Sequence, residues 1–200
     1  MERRARVLAG IVMLGLVLVS VPASPGPLDD RGATKALTCA ACHGQGGQSP
    51  STTMPILAGM WPVYFKKAIE DYAAGKRPST EMEPYAKMVA QMGVDDVAAY
   101  FSSQPRAATS IAADSAAVER GRVAATECLQ CHKPGGTTVG SLIVPDLRGQ
   151  PPGYLLAQMR LFKQDKRSPG DAELKKVKEV LQKIPDNTLA DLAAYWSVAK

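Results

Sequence analysis

Two five-residue runs decide the reading of this chain: Cys39-Ala40-Ala41-Cys42-His43 and Cys128-Leu129-Gln130-Cys131-His132, 89 residues apart. Together they use every histidine and every cysteine of a 200-residue sequence that has only two His and four Cys. On a helix, thiols at i and i+3 lie on one side. There they can add to the two vinyl groups of a single haem, and the histidine that follows turns its imidazole toward the iron as proximal ligand. Three other assignments compete. A structural zinc on the four Cys would make two adjacent His at identical positions a coincidence. A thioredoxin-like pair needs a βαβ setting that is missing, and plain disulfides leave the histidines unexplained. The expectation is two covalently attached haem c groups, bound through Cys39, Cys42, Cys128 and Cys131 and ligated by His43 and His132. A ligating imidazole also needs a partner for its other nitrogen. The carbonyls of Pro55 and Pro145, 12 and 13 residues after their histidines, are the candidates, against a reading of both as ordinary turn prolines.

Working outward, the chain is a duplication. Pro55-Ile56-Leu57-Ala58-Gly59 matches Pro145-Asp146-Leu147-Arg148-Gly149 at an offset of 90, as do Tyr64 with Tyr154 and Lys76-Arg77 with Lys166-Arg167. Asp96-Val97-Ala98-Ala99-Tyr100-Phe101 matches Asp191-Leu192-Ala193-Ala194-Tyr195-Trp196 at 95. Apolar periodicity predicts helices over 31–43, 63–74 and 94–102, and over 115–132, 154–163 and 189–199. Glycine-rich loops are predicted over 44–49 and 135–140, each ended by its proline, and no useful strand-period alternation appears. Residues 103–114 are small and polar and read as a linker between two all-α domains.

At 46% hydrophobic and 22% charged residues the chain is globular, which excludes disorder and a polytopic membrane protein. A basic start, Met1-Glu2-Arg3-Arg4-Ala5-Arg6, an apolar run over 7–21 and Pro22-Ala23-Ser24 read as a secretory signal cleaved after Ala23. Arg3-Arg4 lacks the rest of a twin-arginine pattern, so export of the unfolded chain is expected. An uncleaved anchor is the alternative, and the apolar run falls short of the ~20 residues needed to span a bilayer. Removing residues 1–23 lowers the formal charge from +5 to +3, with 21 basic and 18 acidic side chains left. Residues 24–106 carry eight of each sign and residues 107–200 carry thirteen basic and ten acidic, so the surplus lies in the second half. That is poor evidence for nucleic-acid binding and fits an acidic protein partner docking on the second half.

Cys39-x-x-Cys42-His43-Gly44, Pro55-x-Leu57-Ala58-Gly59, Tyr64, Gly75-Lys76-Arg77, Met82 and Ala98-Ala99-Tyr100-Phe101, followed by the second series, resemble the periplasmic dihaem cytochromes of the cytochrome c4 family. The cytochrome subunit of flavocytochrome c sulfide dehydrogenase is similar in the same way. The resemblance covers nearly all of the chain after residue 23. It implies an all-α fold of two tandem class I cytochrome c domains, 24–102 and 115–200 joined by linker 103–114, each wrapped around one haem c. It also implies a periplasmic location and single-electron transfer in respiration between redox protein partners, among them membrane oxidase or reductase complexes or a catalytic dehydrogenase subunit. No small-molecule substrate is turned over, so the chain is expected to be a carrier or electron-transfer subunit and not an enzyme.

The resemblance further implies an axial methionine in the loop after Gly-Lys-Arg, eighteen residues before the tyrosine of the last helix. Met82 meets both conditions, five residues after Arg77 and eighteen before Tyr100. Met88 and Met92 read as core, Met54 and Met60 as pocket or surface residues. In the second copy the same counts land on Ala172 and Val177, neither of which binds iron, and no Met follows Met159. Met159 aligns with Ile69 and reads as packing. Lys175, Lys176 and Lys178 remain, on a stretch that reads equally well as a solvated helix face. The second iron is therefore expected to be open or water-bound, with a neutral lysine, Met159 or a partner's group as alternatives. Arg148, in the place of Ala58, is expected near the second haem's propionates or in a surface salt bridge. Three functions follow: a periplasmic electron carrier, the dihaem subunit of an oxidoreductase complex such as a sulfur-compound dehydrogenase, or a site at which the second haem meets NO, CO or peroxide. No third His, spare Cys or acid–base pair supports peroxidase or thiosulfate dehydrogenase chemistry.

Overall fold

The computed structural model describes residues 31–107, 111–132 and 144–199. The expected signal segment with its cleavage after Ala23, the glycine-rich loop over 135–140 and linker residues 108–110 lie outside the described residues. The described residues form eight α-helices and no extended strand. Helices α1 (Arg31–His43), α2 (Pro62–Ala73), α3 (Met82–Met92) and α4 (Val94–Ser103) make the first half. Helices α5 (Ser115–Ala124), α6 (Pro152–Lys163), α7 (Lys175–Lys183) and α8 (Asp186–Val198) make the second. No helix among them is long and apolar enough to cross a membrane.

In each half the first and last helices cross at a glycine. A Cβ on Gly32 would sit 2.2 Å from the Asp96 carbonyl oxygen and 2.7 Å from Tyr100 Cβ. A Cβ on Gly121 would sit 2.0 Å from the Asp191 carbonyl oxygen and 2.8 Å from Tyr195 Cβ. The backbones of α1 and α4, and of α5 and α8, come this close only because the side chain is missing. Charge pairs flank both crossings: Lys35 bonds Asp96, and Arg120 grips Asp191 in two bonds of 2.8 and 2.9 Å. Two separate cores result. Phe65, Ile69, Val89, Val97 and Phe101 centre one, and Leu155, Leu181, Leu189, Leu192 and Trp196 the other.

Helix ends follow local chemistry. Pro62 and Pro152 open α2 and α6, where a missing N–H costs nothing. Asp114 caps α5, its carboxylate accepting from the Ala117 N–H at 2.7 Å. The helix expected over 115–132 does not run through: α5 stops at Ala124 and Ala125–Gln130 is a 3-10 turn. At the break the Thr126 hydroxyl donates to the Val123 carbonyl at 2.8 Å. Cys39 and Cys42 thus lie on an α-helix, whereas Cys128 lies on the 3-10 turn with Cys131 just beyond it.

Adding one methyl at the second crossing tests this arrangement. Alanine is the better helix former, yet G121A is expected to lower stability by about 1–3 kcal/mol through overpacking. Denaturant unfolding of the haem-loaded protein measures it, and an unchanged or raised midpoint would remove the close crossing from the account.

Candidate functional site

Each histidine ends the segment that carries its cysteine pair, and each ring is held from behind. His43 Nδ1 donates to the Pro55 carbonyl at 2.8 Å, and His132 Nδ1 to the Pro145 carbonyl at 3.1 Å. Both prolines are therefore the imidazole partners expected from their spacing. Burial lowers the pKa of both rings, against the carbonyl bond that favours the charged form. With Nδ1 carrying the proton, Nε2 offers a lone pair. His43 Nε2 is buried and has no hydrogen-bond partner among the described residues. A metal ion is what such an atom fits.

The loops that supply the two carbonyls return to the last helix in the same way. Gly59 N–H donates to Phe101 O at 2.8 Å and Gly149 N–H to Trp196 O at 3.0 Å, with both glycines at positive φ, 67° and 60°. Trp196 then meets the His132 ring edge-on at 5.9 Å between centroids. None of the four cysteines is in a disulfide. Cys42 and Cys131 are exposed, while Cys39 and Cys128 are half-buried against their cores. Among the described residues no group of three or more His, Cys, Asp or Glu is placed to hold a metal ion.

Cys128, Cys131 and His132 open onto a cavity of about 530 Å³, within the roughly 300–1,000 Å³ of cofactor sites. Its walls include Leu155, Leu192 and Trp196, and at one end it reaches Met60, Trp61, Tyr64 and Arg106 of the first half. That end is strongly basic. Arg77 and Arg167, 2% and 6% exposed, cross between the halves in a reciprocal exchange. Arg77 donates to Tyr154 Oη at 2.8 Å and Arg167 to Tyr64 Oη at 2.9 Å, and both share Gln158 Oε1 at 3.0 and 2.9 Å. These acceptors are neutral and Arg167 Nε is buried without a partner, whereas Arg106, its Nε also unbonded, pairs with Asp146 at 3.3 Å. An apolar chamber with a surplus of buried guanidinium at its edge suits a large flat apolar group bearing carboxylates, as haem is.

The same exchange sets the two phenols apart. Burial disfavours ionisation of Tyr64, but Arg167 and Arg77 outweigh it and bring the phenol down to about 7; burial prevails at Tyr154, pushed up to about 12. Further bonds close the seam. Gln150 clasps the Ile56 backbone, accepting from its N–H at 3.0 Å and donating to its carbonyl at 2.8 Å. Gly153 N–H donates to Thr52 O at 2.9 Å, Ser168 Oγ donates to Asp71 at 2.7 Å, and Lys67 bridges Asp71 and Asp171.

The remaining candidates separate clearly. Met82 is the first residue of α3 and not a loop residue, because Ser79 Oγ accepts its N–H at 3.1 Å and starts the helix there; its half-buried side chain packs on the core that holds Cys39 and Met60. Val177 lines the cavity, as do Met159 and the exposed Lys176. Lys178 is turned away, 8% exposed, with Nζ donating to Ser168 O at 2.7 Å and paired with Asp165 at 2.6 Å. Lys175 faces solvent, 3.9 Å from Glu179. The stretch read as a solvated face is thus amphipathic. Arg148 forms a salt bridge with Asp146 at 2.6 Å, the second of its two expected placements. The arginines, Gln150 and Gln158 of the seam escaped sequence reasoning; the repeated Tyr and Lys-Arg at one offset were their only signal.

The depressed Tyr64 pKa has a consequence for stability. An acid whose pKa is lower in the folded chain adds stability that is full above its unfolded value, about 10, and is lost as pH falls toward 7. The stability difference between the native protein and Y64F is therefore expected to widen from pH 7 to pH 10. Chemical unfolding across that range measures it; a constant difference would contradict the arginine–phenol coupling.

No protein-family model matches the chain. Cytochrome c4 of Pseudomonas aeruginosa is 32% identical over 171 residues, covering 82% of this chain and 85% of that protein. A thiosulfate dehydrogenase electron acceptor of Stutzerimonas stutzeri is 28% identical over 209 residues, 95% of this chain and 93% of that one. The crystal structure of reduced recombinant cytochrome c4 from Pseudomonas stutzeri matches with a TM-score of 0.75 at 27% identity, over 88% of this chain and 100% of that one.

Proposed function

The chain belongs to the cytochrome c4 family and is a dihaem electron-transfer cytochrome of two tandem cytochrome c domains, and from that premise we propose that it carries single electrons between redox proteins of the periplasm through two unequal sites. The observation that carries the proposal is the duplicated imidazole–carbonyl bond beside each cysteine pair. In this reading Cys39 and Cys42 anchor the first haem and Cys128 and Cys131 the second, with His43 and His132 on the irons. Bound haem supplies reversible one-electron exchange at its iron.

The chain's own residues do the rest. Pro55 and Pro145 hold each imidazole neutral and oriented, which also strengthens it as a donor. Arg77, Arg167, Tyr64, Tyr154 and Gln158 fix the halves so that the second cavity faces Met60 and Trp61 of the first. A thioether from Met82 would raise the potential of the first site, and the second copy has Ala172 and Val177 at the matching positions, so the first would be the site that holds the electron. The amino-terminal signal reading supports export.

A second reading has a specific observation behind it: the relative that spans 95% of this chain is a thiosulfate dehydrogenase electron acceptor. This chain would then accept electrons from a catalytic dehydrogenase of sulfur compounds. Fast reduction by such an enzyme plus its substrate, and none by either alone, is the expected result.

Replacing Met82 by alanine is expected to abolish the long-wavelength Met-to-iron absorption band entirely, since one site alone carries it, and to lower one of the two midpoint potentials. Retention of the band in M82A would refute the assignment.

A further inference from the structure

The two copies part company where the second axial ligand is expected. In the first, α3 opens on Met82. In the second, the 3-10 turn Ala172–Leu174 runs into α7, and no Met, His or Cys occurs in residues 172–183. Of the three lysines there, Lys178 is held by Ser168 and Asp165, and Lys175 has a side chain 77% exposed beside Glu179. Lys176 borders the cavity but is exposed, and ligating a metal would require it to shed both its proton and its hydration. Met159 sits on α6, packed against the second core where the first copy has Ile69, a residue that can only pack.

Apart from Glu173 and Lys176, what the 3-10 turn and α7 present to the cavity is apolar. Leu174, Val177, Val180 and Leu181 join Met159 and Phe162 from α6. Against these side chains an uncharged molecule loses little on leaving water, whereas an anion would keep favourable contacts only toward Lys176 and the arginines at the far end. We propose that the second domain is an exchangeable binding site for a small uncharged ligand of the carbon monoxide or nitric oxide class, taken up at the iron that His132 holds. This rests on the reading of one His-ligated haem in each domain and adds that the two domains differ in access: the first is closed by Met82, the second is left open by Val177 and its neighbours.

Carbon monoxide is the probe. It is titrated into the chemically reduced, fully haem-loaded protein and followed by the Soret band, with haem content measured separately by the pyridine haemochrome method. The expected result is saturable uptake of one carbon monoxide per two haems. V177F, which fills the apolar wall, is expected to keep both haems and bind carbon monoxide ~10-fold more weakly or worse. K176A and M159L are expected to bind it as the native protein does. Two haems without uptake would overturn this inference and leave the electron-transfer reading intact. Uptake that appears only in K176A or M159L would identify a resident ligand and overturn it too, as would undiminished uptake by haem-loaded V177F. Fewer than two haems per chain would overturn the parent reading and this inference with it.

Discussion

An imidazole that is to hold an iron must be neutral, aimed and unable to rotate, and in this chain a proline carbonyl imposes all three conditions twice. His43 and His132 give their Nδ1 protons to Pro55 and Pro145 at 2.8 and 3.1 Å, and burial keeps the rings uncharged. The loop bearing each carbonyl must then return to the ring after 12 or 13 residues. Its glycine, at positive φ, ties it to the last helix through the Phe101 or Trp196 carbonyl. The last helix in turn crosses the first at Gly32 or Gly121. Helix crossing, loop and ring orientation are thus one connected constraint. A domain of this size has a marginal core, and a covalently fixed macrocycle completes it.

The seam between the halves uses the duplication as a joint. Tyr64 and Tyr154 occupy equivalent positions, as do Arg77 and Arg167, and each arginine reaches the other half's tyrosine. Gln158, used by both arginines, and Gln150, which clasps Ile56 where the first copy has Met60, break the symmetry. Buried guanidinium without matching carboxylate is costly, so the seam is most stable when anionic groups lie at the cavity edge. The joint also bounds the second cavity at one end by side chains of the first half, which fixes how the two sites lie toward each other.

Much of this was legible in the sequence because it follows local rules. The Cys-x-x-Cys-His runs, the proline partners and the helices beginning near residues 62, 94 and 152 are matters of spacing and capping. The shortened helix after Ser115 was not, since the apolar periodicity runs on past Ala124 where the backbone tightens into a 3-10 turn. Lys178 looked like a ligand beside Lys175 and Lys176, but its fate depends on Asp165 and Ser168, ten or more residues back on another turn. The seam was invisible for a similar reason: Arg77 and Tyr154 lie 77 residues apart, and a repeat reveals that two positions correspond without revealing that they meet. Gly32 and Gly121 stood at matching positions in the two copies, yet only the crossing helices show what their missing side chains permit.

The central claim is that one chain holds two irons in different coordination. Electron paramagnetic resonance of the oxidised, fully haem-loaded protein at neutral pH tests it most directly. The account predicts one low-spin and one high-spin ferric signal in equal amounts, with the low-spin signal carrying the signature of His–Met ligation. Two low-spin signals would contradict it, because they would mean that a side chain closes the second site as Met82 closes the first.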